Sequence, residues 1–564
     1  MDDDRLLSIL RAKEDDSGSY VWGALGQDRE KAMRHYYRMP YGSEEEGWSQ
    51  IVASDVQDSV EWALPDLLDQ FLMTDKAVIF EPTRGSEVEG AKQATETVNY
   101  IFFKQNSGFL VLYTAIKDAL TVRNCAVMWR KEKSRVVRSV PFKGASIEML
   151  SMLMAEGGKD AEIESVDQQP MMGPDGQPML DEFGAPLMVM SGRIKRTEER
   201  KTIKVEAFSP EDLLVERDWT SPLLADCPYV CRMMPVTLSD LHEMGYTDCI
   251  AEDLDDTDSN ARSTDANFRL SKVNNSEGST TEGGASDTTD DDSMTRGWLR
   301  MEWVLVDADG DGIAERRQIL RLEDKILSNE VVSHVPVATC SPILNTHRWD
   351  GMSLDDVVAD IQELHTELLR GMLNNLYLSN NPRKKVLVYG EGNPRANIED
   401  LLDSRPGGML RQFTPDAISD DVTPFVAGAT MPVLEYVQGM RENRTGLSRV
   451  SMGLDPDSLN TTAAGRRMDK NSSQKRLKLI ARIFAEILLK PIFQGILKVA
   501  TEGDMEKIAF SLRGQFVEYD PNEWLDQYDM TTTVGLGTGD QEAQSRSLTT
   551  VMQSQMALIP FGIT

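Results

Sequence analysis

The chain has 564 residues, 40% hydrophobic and 27% charged with 9 Trp, a composition that supports well-filled cores and several domains. No run approaches the roughly 18 apolar residues that span a bilayer, the acidic start Met1-Asp2-Asp3-Asp4 lacks a secretion-signal pattern, and five cysteines are too few for a disulfide framework; no membrane partner is expected, and the protein is expected to stay in the cytoplasm where it is made. Sixty Lys+Arg against 92 Asp+Glu give a net charge of −32, so any nucleic acid is expected to be guided past a weakly attractive or repulsive wall and not held tightly; on its own the charge favours plain acidity for solubility.

Residues 1–40 read as helix, carrying Arg34-His35-Tyr36-Tyr37-Arg38, until Pro40 and Gly42 break it. A helix follows over about 52–73, where Val56, Val60, Leu64, Leu67, Leu68 and Phe71 recur at helical spacing and Pro65 should kink it. Residues 90–122 are helical, and strands are expected at 126–131 and 134–142. The Pro, Gly and Met of 166–192 predict a protruding loop, with a strand resuming at 201–208. Residues 252–296 form a Ser/Thr/Asp/Asn/Gly tract with almost no large apolar residues, too polar to offset its ordering entropy, so an exposed, flexible acidic excursion is expected. A hairpin is expected near 301–322, with strands 301–307 and 315–322 joined by Asp309-Gly310-Asp311-Gly312.

The most regular part comes next. In 353–379 the residues Leu354, Val357, Val358, Ile361, Leu364, Leu368, Met372 and Leu376 keep a 3.6-residue period. That helix would be roughly 40 Å long at about 1.5 Å per residue. Residues 380–428 read as a compact insert with strands at 384–389 and 409–413, and a shorter helix returns at about 431–447. A polar loop, 448–465, leads into a long helix over about 466–500 in which Pro491 should force a kink. Strands near 506–519 and 529–535 and the start of a helix at 540–558 complete the chain.

Signatures of catalysis are absent: there is no G-x-x-x-x-G-K-[ST], no H-E-x-x-H and no G-x-S-x-G, and the five His have no Ser or Cys partner in sequence. The chain is therefore expected not to be an enzyme. Asp307-Ala-Asp309-Gly-Asp311-Gly312 resembles the start of a calcium loop, with oxygen ligands at alternate positions, but Gln318 stands where a bidentate Glu is needed. Calcium on Asp307, Asp309 and Asp311 is weighed against a plain acidic hairpin turn. Cys227, Cys231, His242 and Cys249 are close enough in sequence for zinc, weighed against buried reduced thiols.

The order of elements in 352–500 — long helix, small α/β insert, return helix, polar loop, kinked long helix — resembles the stem, clip, tunnel loop and wing of portal proteins of tailed bacteriophages. Short strings are similar to those of short-tailed (podovirus-type) phages. They are Asp55-Val56-Gln57-Asp58 with Trp62 and Pro65; His347-Arg348-Trp349-Asp350-Gly351-Met352-Ser353-Leu354; and Asp360-Ile361-Gln362. Further on come Asn381-Pro382-Arg383, Thr445-Gly446-Leu447-Ser448-Arg449 and Ile480-Ala481-Arg482-Ile483-Phe484. The resemblance covers roughly 28–558. It implies an α+β portal fold with the wing in 1–351, stem helices at 352–379 and 429–447, the clip at 380–428, a tunnel loop at 448–465, a kinked wing helix and returning strands at 466–539, and a short crown from 540 to 564.

It also implies a non-enzymatic ring, usually of twelve subunits, at one capsid vertex of the virion, assembled in the host cytoplasm and passing double-stranded DNA during packaging and ejection. A terminase large subunit and then head-completion or tail adaptors would dock on the clip, where Arg383, Lys384, Lys385 and Arg395 make the start of the insert basic; major capsid and scaffolding proteins would surround the wing. The stripe of 353–379, on its own the core of an ordinary helical domain, would then face neighbouring stems. Arg449, Arg466, Arg467 and Lys470 read either as a solvated cluster at a helix start or as phosphate contacts in the channel. The alternative is a structural or scaffolding protein that touches no DNA, told apart by the lack of a ring with an open pore. A metal-dependent hydrolase using the Asp307 turn is the enzymatic alternative, and loss of activity on replacing those aspartates would single it out.

Overall fold

The computed structural model describes residues 2–72, 77–82, 88–145, 147–156, 162–170, 188–254, 264–274, 292–389, 393–394, 396–402, 409, 411–415, 417–447, 475–502, 508–512, 515–519, 524 and 528–532. It combines helices with antiparallel sheets, as an α+β chain does. The tunnel-loop segment 448–465 and the crown segment 540–564 fall outside the described residues.

The first core is built by helices. Asp55–Leu72 buries Val56, Val60, Leu64, Leu67, Leu68 and Phe71, the set its spacing selects, and it continues through Pro65. The stretch read as one helix over 90–122 is two, Val88–Tyr100 and Gly108–Val122, separated by a π-helical turn at Ile101–Gln105 and by Ser107 in the left-handed region at φ +50°. The C-terminal long helix closes this core with Leu477, Phe484, Phe493 and Ile496. It is α-helical at 475–484, π-helical at Ala485–Leu489 and α-helical again over Lys490–Thr501. Pro491 has no N–H to give the ladder, and the chain accommodates it with one wide turn immediately ahead, in which the Lys490 N–H reaches the Ala485 carbonyl.

Strands Cys125–Ala145 and Met188–Phe208, 21 residues each, pair from Ala126 opposite Phe208 out to Ala145 opposite Met190. This replaces the short strands and long loop expected here: residues 188–192 belong to a strand, and Glu162–Pro170 adds a third strand outside Met188–Phe208. The long strands escape a reading by alternation because charged residues interrupt the apolar pattern, and backbone pairing needs no particular side chain. At roughly 3.3 Å per residue the ribbon is about 65 Å long. Its base is locked to the helical core where Trp129 meets Gly495; a Cβ at 495 would lie 2.1 Å from the indole.

The second core is a five-stranded meander of Leu213–Val215, Tyr229–Thr237, Arg296–Val306, Glu315–Leu322 and Lys325–Val331. Its third strand starts five residues ahead of the Met301 read from the sequence. Helix Asp3–Gly18 packs on it through Leu6 and Leu10, and a buried charge network fastens the two. Arg300 Nε donates to Glu14 at 2.6 Å, Arg321 is bidentate to Glu302 at 3.0 and 3.1 Å and also reaches Glu14, and Tyr229 donates to Glu302 at 2.9 Å.

Of the tract 252–296 read as a flexible acidic excursion, residues 255–263 and 275–291 lie outside the described residues. Within the part that is described, Thr264–Asn274 is a helix, with Phe268 and Asp265 buried. Asp265 lies 3.6 Å from the fully buried Arg29, and Arg269 holds Asp118 and Glu211 at 3.2 and 2.8 Å. One aromatic and three ion pairs anchor a segment whose average composition predicts none; composition averages over the tract and hides the anchor.

Burial alone would raise the Glu14 carboxyl, but Arg300 and Arg321 hold it below its ordinary value. A lowered carboxyl stabilises the fold above the unfolded-state value and loses that contribution as pH falls through the folded-state value. Acidification from about pH 6 to about pH 3.5 should therefore release Asp3–Gly18 early, read as faster amide exchange in 3–18 than in Gly108–Val122; equal acceleration in both helices would contradict it.

Candidate functional site

The long helix observed at Asp355–Asn380 emerges from the helical core, and the return helix Ala427–Thr445 comes back beside it. Between them lies the insert. The joint where both helices meet the body is polar and buried, and several of the strings singled out in the sequence meet there, among them Asp55-Val56-Gln57-Asp58 and Asp360-Ile361-Gln362.

At its start, Ser353 and Asp356 exchange hydrogen bonds, and Arg123 grips Asp356 through Nε at 2.9 Å and Nη2 at 2.5 Å. Immediately beside it, His35 Nδ1 is 2.8 Å from Asp355. Gln362 is fully buried and bridges two segments: its Oε1 accepts the Val56 N–H at 2.8 Å and its Nε2 donates to the His35 carbonyl at 3.1 Å. Thr366 accepts the Ala53 N–H at 3.1 Å, and Arg370 donates to the Ile51 carbonyl at 2.8 Å and pairs with Glu44.

At the centre sits Asp55, 2% exposed. Its Oδ2 is 2.6 Å from His365 Nδ1 on the long helix, and its Oδ1 accepts from Arg441 of the return helix at 2.8 Å. Arg441 lies over Trp62 at 5.0 Å and 3.7 Å from Asp58, whose carboxyl is raised by burial. Arg444 closes the outer side on Asp360 at 2.6 Å, and Gly446 ends the return helix at φ +75°.

Sequence reasoning singled out Asp55, Trp62, Asp360 and Gln362 but missed His35, Glu44, His365, Arg370 and Arg441. A signal was present: Asp355, Gln362, Thr366 and Arg370 are spaced by seven, four and four residues, a polar stripe at helical period beside the apolar one. The apolar stripe itself divides. Leu354, Val358 and Ile361 are buried, whereas Leu364 is 46% exposed.

In the insert, Arg383–Val386 pairs with Ile418–Asp421, Val388–Tyr389 with Asn393–Pro394, and Ile398–Leu402 is a short helix. The strand read at 409–413 is reduced to one bridge, Gln412 with Ala396; the strand partner is the more acidic 418–421. The cations read as a docking surface are engaged locally: Lys384 pairs with Asp420 and Lys385 with Asp421 at 2.5 Å, while Arg383 stands opposite Asp421 in register. Arg395 lies outside the described residues. Across 380–428 six basic residues face seven acidic ones, so the insert is near neutral. Apolar exposure dominates instead, with Leu402 at 78%, Met409 at 90%, Phe413 at 73% and Val422 at 76%, and the return helix adds Tyr436 at 71%.

Arg449, Arg466, Arg467 and Lys470 lie outside the described residues. The carboxylates of Asp307, Asp309 and Asp311 come within 4.8 Å of one another, but both Asp307 oxygens already accept backbone N–H groups, from Gly310 at 2.6 Å and Gly312 at 3.0 Å. The turn thus holds itself. The zinc reading is corrected: Cys227 and Cys231 are buried in the core under the meander and Cys249 in a separate one, with His242 turned to the Cys249 carbonyl.

Replacing Asp55 by Ala leaves Arg441 and His365 buried without their shared anion, and a loss of about 3 kcal/mol is expected, toward the low end because Asp58 offers Arg441 a second carboxylate. It should appear as a lower melting temperature with faster amide exchange in 427–445; an unchanged melting temperature would show that the joint contributes nothing.

A model of the phage SU10 portal protein family matches residues 6–563. No curated protein matches the chain.

Proposed function

Because the chain belongs to the phage SU10 portal protein family, we propose that it is the subunit of a ring, usually of twelve copies, that forms the double-stranded DNA channel at one capsid vertex. The observation that carries this reading is the apolar surface that a single subunit leaves open on the insert and return helix, including Met409, Phe413 and Tyr436. Large apolar side chains left this exposed are what an association surface presents. Copies arranged around an axis would cover them, since each long helix has neighbours on both sides in a ring.

In this reading the long and return helices are the stem, fixed at the Asp55 joint, and 380–428 is the clip, where the terminase large subunit and later head-completion or tail adaptors dock. Exposed cross-strand pairs such as Lys385 with Asp421 contribute little energy, so docking would rest on apolar contact more than on charge. Major capsid and scaffolding proteins would meet the remainder, 1–351 and 466–539, as the wing. The tunnel loop 448–465 would project into the channel with Arg449, Arg466, Arg467 and Lys470 at its borders. Phosphate contacts made there carry no sequence information, as a packaging channel requires, and weaken as salt rises. The subunit would move DNA by guiding it, with no catalysis of its own, and would travel in the virion.

Three outcomes follow. Native mass spectrometry of the purified chain should show closed rings, and monomers alone across a range of salt would exclude the reading. Deleting 386–425 should leave the two cores folded but abolish terminase capture in a pull-down; undiminished capture would move docking elsewhere. Arg449→Glu combined with Arg466→Glu should leave rings intact and impair packaging or retention of DNA, and full-length genomes packaged and retained normally by this double variant would show the loop borders to be ordinary solvated residues.

A further inference from the structure

A cavity of about 480 Å³ opens at the seam between the two cores, and the portal reading gives it no task. One wall is a helix face: Pro491, Gln494, Gly495 and Lys498 follow the three- and four-residue spacing that brings side chains to one side. Trp129 of the ribbon base, 3% exposed, lies against that face at Gly495. Leu224 and Val337, both buried, bring the meander core to the cavity. Leu223, Ala225 and Gln494 also line it and are exposed to solvent, which marks its open side.

The lining is mostly apolar, and its polar groups are unequally engaged. The Thr339 hydroxyl is committed, donating to the Cys125 carbonyl at 2.7 Å and accepting from Asn124 at 3.3 Å. His334 is held by Ser333, whose Oγ lies 3.0 Å from Nδ1 and donates to Glu502 at 2.7 Å. Burial, together with the Lys498 charge, lowers the pKa of His334, so that ring is uncharged at pH 7. Lys498 is then the one charged side chain among the described residues that line the cavity. It is 31% exposed, and its ammonium lies 3.6 Å from Glu502, beyond hydrogen-bond length. Glu502 itself is turned to Ser333 and is not part of the lining. Small-molecule sites are clefts of about 300 to 1,000 Å³, mostly apolar, with a few polar groups that fix orientation. This cavity has that size and that make-up. A half-buried ammonium beside apolar walls is less screened than one in water and favours an anion, and its hydrogen bonds to a carboxylate are of the stronger, charge-assisted kind. Gln494 adds an exposed amide one turn away on the same helix face. The complement is a molecule with an apolar body and a single carboxylate.

We propose that this cavity binds a small amphipathic carboxylate, its apolar body between the two cores and its carboxylate on Lys498. The site goes beyond the portal reading and does not rest on it. A ligand held there touches both cores, so its binding stabilises the seam they share.

The test uses the full-length chain and two compounds of one shape, the anion 2-naphthoate and the uncharged 2-naphthamide. Ligand-observed NMR titrations give each affinity, and thermal unfolding of the same samples shows whether each variant is folded. Lys498→Met keeps the apolar stem of the side chain and removes its charge. Ala225→Trp narrows the open side from an exposed position. Wild type should bind the naphthoate about threefold to tenfold more tightly than the amide, the size of one net hydrogen bond. That preference should shrink as salt rises, since the ammonium is partly exposed, and the naphthoate should raise the melting temperature. K498M should bind the two compounds equally, and A225W should lose measurable binding of both. No saturable binding by wild type would show that the cavity holds water only, and it overturns the proposal. Equal affinity for the two compounds in wild type overturns it as well, because the cavity would then take apolar bodies without regard to charge. So does a preference that survives in K498M, or binding undiminished in A225W. If one variant fails to fold, the wild-type preference and the other variant decide.

Discussion

Asp55 must satisfy Arg441 and His365 from two helices while almost out of water, and the arrangement of the molecule around it follows from that demand. The carboxylate sits at the start of Asp55–Leu72, an element of the main helical core, and takes His365 from the long helix and Arg441 from the return helix. Burying a charge is unfavourable unless it is paired and hydrogen-bonded. The geometry that meets this condition also fixes the angle and register at which both helices leave the body. Gln362, Thr366 and Arg370 repeat the logic along the long helix, each engaging a backbone group of 51–56. The joint is thus specified by polar groups that tolerate little sliding, where an apolar seam would tolerate more.

What the joint holds in place is an incomplete surface. Beyond Arg370 the long helix is only partly covered, and the insert it carries is near neutral and apolar outside. A rigid base and an uncovered distal end are what a repeating assembly needs: the base sets the orientation and the distal end supplies the contact. The wide turn before Pro491 lets the C-terminal helix continue past a residue with no N–H to give, and one turn on glycine at 495 admits Trp129 of the ribbon base.

Much of this was legible in the sequence, and the rest was hidden for identifiable reasons. Periodicity located Asp55–Leu72 and the long helix of the joint because their apolar residues recur at 3.6. It could not show that Leu364 and Tyr436 stay exposed in the single chain, since an apolar residue at helical spacing looks the same in sequence whether it is covered or not. The polar stripe Asp355, Gln362, Thr366 and Arg370 went unread because polar residues on a helix are ordinarily solvated. The long ribbon was broken into pieces because Lys and Arg interrupt its alternation. The helix Thr264–Asn274 was lost in the average composition of its tract, although Phe268 stands out in it. Local charge at the insert misled differently: Arg383, Lys384 and Lys385 are consecutive in sequence, but their strand partners Asp420 and Asp421 are more than thirty residues away and cancel two of them.

The central claim is that a body fixed at the Asp55 joint presents its stem and insert to identical neighbours around an open axis. Electron-microscopy class averages of the purified chain viewed down its symmetry axis address it most directly. The account predicts closed rings with a central hole wide enough for a DNA duplex and with the long helices lining the inner wall. Closed rings without such a hole, or open filaments and isolated subunits in place of rings, would contradict it.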